Sequence, residues 1–261
     1  MERAVADQSN PERLAAYIQS LPDFRIYTEI DGNYGHMGAT LADAVLQANN
    51  NYERNVRPRI SRIRNKFARD ASLDDLKRLL KHVSPQKFLD WNGTRKPKTF
   101  LELVDLLDRE GVNTEVDLRT WLQRDGSGES LRRIRFIGPK TVDYLKILVG
   151  LPNAAVDRHM VAFVERAGLG KLDYDRCQEV LHRTADLMKL DRAHLDHSIW
   201  RYMSGDETAV SKGGPCRGHF APTPKMKSNS PASDGAASWQ RRILRKAAAW
   251  SKFIGKYWSA G

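Results

Sequence analysis

Apolar side chains recur along most of the chain at intervals of three and four, without sustained alternation, and this pattern predicts amphipathic helices rather than strands. Leu14, Ile18 and Leu21 mark a helix after Pro11, and Leu41, Val45 and Leu46 mark another that opens near His36 and runs toward Tyr52. Val56, Ile60, Ile63 and Phe67 continue the spacing. Ser72-Leu73-Asp74-Asp75 reads as a capping box that opens a helix through Leu76, Leu79 and Leu80. Further helices are expected over 100–107, 115–122, 130–134, 139–149, 157–166, 173–187 and 193–202. Their short connections carry Gly, Asn or Pro, the residues that end helices and make turns. The expected body is all-α, with about ten short helices over residues 1–205.

Past Ser204 the pattern changes. Residues 206–238 are rich in Gly, Pro and Ser and read as a flexible linker. In 239–261, Trp239, Ile243, Ala247, Trp250, Ile254 and Trp258 fall on one helical face with basic residues mostly elsewhere. This C-terminal amphipathic helix is expected to pack on protein, with an anionic membrane or nucleic acid as the other surfaces it could meet.

Composition narrows the function classes. The net charge of +11 is concentrated in the tail: from Thr208 onward ten basic residues face the single acid Asp234, which leaves only +2 on the preceding residues. Nucleic-acid binding by the body therefore rests on local clusters. One holds Arg54, Arg57, Arg59, Arg62, Arg64, Lys66 and Arg69 with no acid between Arg54 and Arg69, and another holds Arg132, Arg133, Arg135 and Lys140. Taken alone, each cluster reads first as the solvated face of a helix. No apolar run is long enough to span a bilayer, and the opening MERAVADQSNPERL is too polar for a secretory leader. Cys177 and Cys216 cannot build a disulfide framework or a four-thiolate cluster. A cytoplasmic protein is expected, nucleoid-associated if bacterial.

The chemistry concentrates in SLRRIRFIGPKTVDYLKILVGLPNAAVDRHMVAFVER, residues 130–166. A helical turn ending at Ile134 meets Phe136-Ile137-Gly138-Pro139, and Pro139 suits the first turn of the next helix. Amides at such a helix start can hold a phosphate without reading bases. Lys140 stands in that first turn, where the helix dipole disfavours an ammonium and favours a free amine. Seventeen residues on, Asp157 is placed to cap the following helix. Taken singly, Lys140 is an ordinary surface lysine and Asp157 an ordinary cap.

Together these segments resemble the helix-hairpin-helix, Gly/Pro-rich-loop, aspartate superfamily of base-excision DNA glycosylases, which includes endonuclease III and 8-oxoguanine DNA glycosylase. FIGPKT resembles the family hairpin, GLPNAAVD its Gly/Pro loop and acid, and LQANNNYERNV the Asn-rich helix end of the 8-oxoguanine branch. The likeness spans about Tyr27 to Ser204. It implies two helical lobes with a DNA-binding helix-hairpin-helix near 130–150. Lys140 then corresponds to the nucleophile that attacks the sugar's anomeric carbon and forms a Schiff base. Asp157 corresponds to the carboxylate that stabilises the developing oxocarbenium charge. Asn49, Arg135, Ile137, Gly138 and His159 would contact DNA, with Asn49 filling the gap left by the flipped base. Tyr144, Asp143, Gln47 and His36 would line the base pocket.

The likeness has departures. Phe136 stands where the family has the first hairpin glycine, so the turn should differ or hold phosphate more weakly. The cysteines of an iron-sulfur branch are absent, and neither a cofactor nor a metal is expected. The expectation is a monomer that acts on duplex DNA containing a damaged or modified base, cleaves the N-glycosidic bond and nicks the strand by β-elimination. A monofunctional glycosylase and a non-catalytic DNA-binding module remain the alternatives.

Overall fold

The computed structural model describes residues 9–205, so the expected linker, the C-terminal amphipathic helix and Cys216 lie outside the described residues. Within them the fold is helical throughout: α1 (Asn10–Ser20), α2 (Met37–Leu46), a π-helical turn (Tyr52–Val56), α3 (Arg57–Lys66), α4 (Leu73–Leu80), α5 (Pro85–Leu89), α6 (Arg95–Arg109), α7 (Glu115–Leu122), α8 (Ser127–Arg132), α9 (Pro139–Leu148), α10 (Arg158–Arg166), α11 (Tyr174–Leu187) and α12 (Arg192–Ser204). No strand occurs, and no helix is long and apolar enough to cross a membrane, among the described residues.

Side chains near the chain's turns set the helix starts. Ser72 with Asp75 and Thr114 with Asp117 form reciprocal capping boxes at α4 and α7. The last three helices each begin at an aspartate, Asp157, Asp173 and Asp191, whose carboxylate accepts first-turn amides. Each such cap is worth about 1 kcal/mol.

The buried apolar side chains fall into two main clusters. The first gathers α2 to α9 around Leu41, Ile63, Phe88, Phe100, Leu103 and Leu148. The second gathers α1 with α10, α11 and α12 around Leu14, Phe163, Leu181 and Ile199. The N-terminal helix therefore packs with the C-terminal ones, and the chain leaves the second cluster, builds the first and returns. A small third cluster of Ile147, Ala155 and Ala193 ties α9 to α12. Fully buried Leu and Phe side chains each contribute about 1.5–3 kcal/mol of transfer free energy.

Three residues of the basic run at 54–69 are engaged within the protein, while Arg54, Arg64, Lys66 and Arg69 are exposed. Arg59 donates to the Asp90 carbonyl (2.8 Å), and Arg62 to those of Lys87 and Phe88, so both hold α3 against the C-terminal end of α5, where carbonyls lack helical partners. Arg57 pairs with Asp31 (2.8 Å) and Glu53 (3.1 Å).

Candidate active site

Lys140 is the second residue of α9, and its Nζ lies 3.2 Å from Oδ2 of Asp157, the residue preceding α10. Oδ1 of Asp157 accepts the His159 amide (2.8 Å) and the Met160 amide (3.3 Å). The carboxylate thus caps α10 with one oxygen and meets the amine with the other. His159 Nδ1 adds a contact to Oδ2 at 3.4 Å. Burial alone would raise the Asp157 carboxyl, but Lys140, His159 and the cap amides outweigh it and hold the group below the usual carboxylate range. The pair is reachable from solvent, with the Lys140 side chain 36% and the Asp157 side chain 13% exposed.

Next to this pair lies a second acid that the sequence reading passed over. Asp196 of α12 accepts the Ala155 amide at 3.0 Å, within the loop that leads to Asp157. Burial, then the charge of Asp157, pushes its carboxyl up to about 8.

One helical turn beyond Lys140, Tyr144 donates its hydroxyl to Asp43 Oδ1 (3.2 Å). Tyr34 (2.6 Å) and Tyr52 (3.1 Å) donate to the other oxygen. Burial pushes the Asp43 carboxyl up to about 6, although all three hydroxyls favour its charged form. The three tyrosines are half-buried against the first apolar cluster, and Asp43 is sealed. A single charge in MGATLADAVL, a helix buried along its full length, was the available sequence signal.

The other residues suggested by the resemblance take varied places. Gln47 is buried at the end of α2, and its Nε2 makes no hydrogen bond. Asn49 is exposed, with a left-handed φ of 53°. Its neighbours Asn50 and Asn51 are engaged locally, on the Leu46 carbonyl (3.1 Å) and the Arg54 amide (2.8 Å). Lys96 holds the stretch from beneath: its Nζ donates to the carbonyls of Val45 (3.1 Å), Leu46 (2.6 Å) and Ala48 (2.8 Å), and burial brings it down to about 8.

Two pocket expectations meet different surroundings. His36 accepts the Ala39 amide on Nδ1 (3.2 Å) and donates Nε2–H to the Phe67 carbonyl (3.0 Å), which leaves neither ring nitrogen for a base. Asp143 is buried, where its carboxylate accepts Lys146 (3.1 Å), Asn153 (2.8 Å), Tyr174 (2.7 Å) and Gln178 (2.8 Å). This network joins α9 to α11 and leaves no free lone-pair direction toward a pocket.

At the hairpin, Ile137 is buried and its amide donates to the Ile134 carbonyl (3.1 Å), while Gly138 precedes α9. Phe136 adopts a φ of 73°, the backbone conformation that glycine takes without penalty. A bulky side chain there costs about 1–2 kcal/mol. Arg135 is exposed, with its guanidinium 4.8 Å from the Phe136 ring centroid. No group of three or more His, Cys, Asp or Glu that could hold a metal occurs among the described residues.

Over residues 12–204 the chain matches a protein family described as a domain of unknown function, DUF8548. It belongs to that family. The DUF8548 region holds both members of the Lys140–Asp157 pair, the hairpin, the tyrosine-ringed Asp43 and all helices from α2 to α12. Among curated proteins none matches the chain.

Proposed function

We propose that this protein is a DNA glycosylase with associated lyase activity, of the helix-hairpin-helix, Gly/Pro-loop, aspartate kind. One observation carries the reading: an amine and a carboxylate 3.2 Å apart, each at the start of a helix, with α9 packed in one core and α10 in the other. In this reading the two cores are the two lobes, duplex DNA crosses the seam, and the hairpin at 134–139 grips its backbone. The protein acts as a monomer, and an amine with a carboxylate needs neither metal nor iron-sulfur cluster.

A damaged base would be flipped toward Tyr144 and Gln47. Lys140 Nζ attacks C1′ of the deoxyribose, the bond to the base breaks, and its electron pair leaves with the base. Asp157 Oδ2 stays ionised beside the sugar and offsets the positive charge that develops there. One amine proton then passes to O4′ as the C1′–O4′ bond breaks, and the opened sugar is held as a protonated Schiff base. Removal of a C2′ proton then expels the 3′ phosphate by β-elimination.

Borohydride trapping on an abasic or damaged duplex tests this directly. The wild type should form a covalent complex and Lys140→Gln should form none. A trapped species that persists in Lys140→Gln removes the lyase step. Base release without Lys140 assigns a monofunctional enzyme that activates water, and binding without release on a panel of lesions assigns a DNA-binding module.

A further inference from the structure

The hairpin carries a feature that the glycosylase chemistry does not use. Phe136 is 51% exposed and sits at a φ of 73°, so it is strained without the return of deep burial. Glycine would occupy the position without strain. The ring is engaged instead by two cations: the guanidinium carbons of Arg95 and Arg135 lie 4.7 and 4.8 Å from its centroid. Among the described residues neither arginine forms an ion pair. A groove of about 270 Å³ opens beside them, bounded also by Thr94, Lys98 and Thr99. Thr99 Oγ1 donates to the Arg135 carbonyl (3.2 Å) and so ties the first turns of α6 to the hairpin. The one acid at the rim, Glu102, is 3.9 Å from Lys98.

Guanidinium donors lie in the plane of the group. An arginine held over a ring therefore keeps its N–H edge free for a planar, two-oxygen partner, and the ring limits the side-chain freedom lost on binding. Two such edges, an ammonium and a partly neutralised acid fit a phosphodiester.

We propose that Arg95, Phe136 and Arg135 form a second backbone-phosphate site on the α6 side of the hairpin, in which the strained Phe136 ring spaces the two arginines to hold a strand of DNA. This rests on the DNA reading above. It extends the footprint beyond the hairpin amides onto a helix with no counterpart in the motif that suggested DNA.

The test is fluorescence anisotropy of the full chain with a labelled duplex containing an abasic-site analogue, titrated across salt, alongside thermal melting. Replacing Arg95 and Arg135 together by Gln should lower the slope of log affinity against log salt by about one and weaken binding about tenfold or more near 0.1 M salt. Phe136→Gly should weaken binding severalfold while its melting midpoint stays equal or rises. An unchanged salt slope in the double variant overturns the site, as does a fall in the Phe136→Gly midpoint, which would make the ring a structural part. A wild-type midpoint raised by millimolar inorganic phosphate but not by duplex also overturns it, in favour of a free anion. Absence of any wild-type DNA binding removes the site together with the glycosylase reading, whereas intact binding with an unchanged slope removes the site alone.

Discussion

Asp157 divides its two carboxylate oxygens between Lys140 and the start of its own helix: Oδ2 lies 3.2 Å from Lys140 Nζ, and Oδ1 accepts the amides of His159 and Met160. A carboxylate that both caps a helix and meets an amine is normally hard to test, because most substitutions remove the two roles together. Here the roles sit on different atoms, and asparagine retains one of them.

Asp157→Asn keeps an Oδ1 acceptor, and Asn and Asp are about equally good caps, so its stability at neutral pH should stay within about 1 kcal/mol of wild type. In the glycosylase reading, turnover should fall about 10²–10³-fold with duplex binding retained or tightened. Single-turnover excision and equilibrium binding measured on one preparation check this. The acid limb supplies a further readout. The folded Asp157 carboxyl is held below its unfolded value, so its contribution to stability is present above about pH 4 and is lost as pH falls through the folded value. Asp157→Asn should lack that loss.

Each member of this pair was legible through a local rule, a first-turn position after Pro139 and a helix cap, but their pairing was implied only by the family resemblance. The helix at 115–122 was legible through local rules too, with Thr114 and Asp117 setting its start. Other features depend on partners far along the chain. His36 was readable as a helix start, but the carbonyl that takes its second nitrogen belongs to Phe67. Asp143 looked free for a pocket because Tyr174 and Gln178, which bind it, arrive from α11. Arg59 and Arg62 looked like a phosphate surface because α5 is a five-residue helix, too short to show periodicity.

Lys96 is the support beneath the Asn49 stretch. Its ammonium serves three carbonyls at the end of α2, and methionine would fill the space while leaving those acceptors without a donor. Lys96→Met should cost about 2–3 kcal/mol, a fall in melting midpoint of roughly 4–12 °C for a protein of this size. In the glycosylase reading it should also weaken duplex binding, because Asn49 loses its fixed backbone. Calorimetry with binding titrations checks both; unchanged stability would show that the ammonium does not cap α2.

Gln47 presents the opposite case, a buried Nε2 with no partner. An unsatisfied buried donor costs about 1–3 kcal/mol, so Gln47→Leu, similar in size, should be neutral or stabilising by up to about 1 kcal/mol. If the amide donates to a flipped base, the same variant should lose excision rate about tenfold or more while duplex affinity changes little. Chemical denaturation and lesion-duplex kinetics provide the two measurements. A clear loss of stability would mean that the amide serves the fold.

Asp196 gives the molecule a stability profile of opposite sign to that of Asp157. Its folded carboxyl is raised to about 8 by burial and by the neighbouring Asp157, with Asp143 adding to the rise and Lys140 and the Ala155 amide opposing it. The folded state therefore keeps a proton that the unfolded chain releases near pH 4. The contribution of this group is full below that pH and is lost as pH rises through about 8. Asparagine keeps an oxygen for the Ala155 amide and never ionises. Asp196→Asn should thus match the wild type at about pH 4–5 and exceed it above pH 8, with a flatter decline between. Denaturation midpoints across that range measure the difference. Parallel curves for the two proteins would show that the folded state does not hold a proton on Asp196.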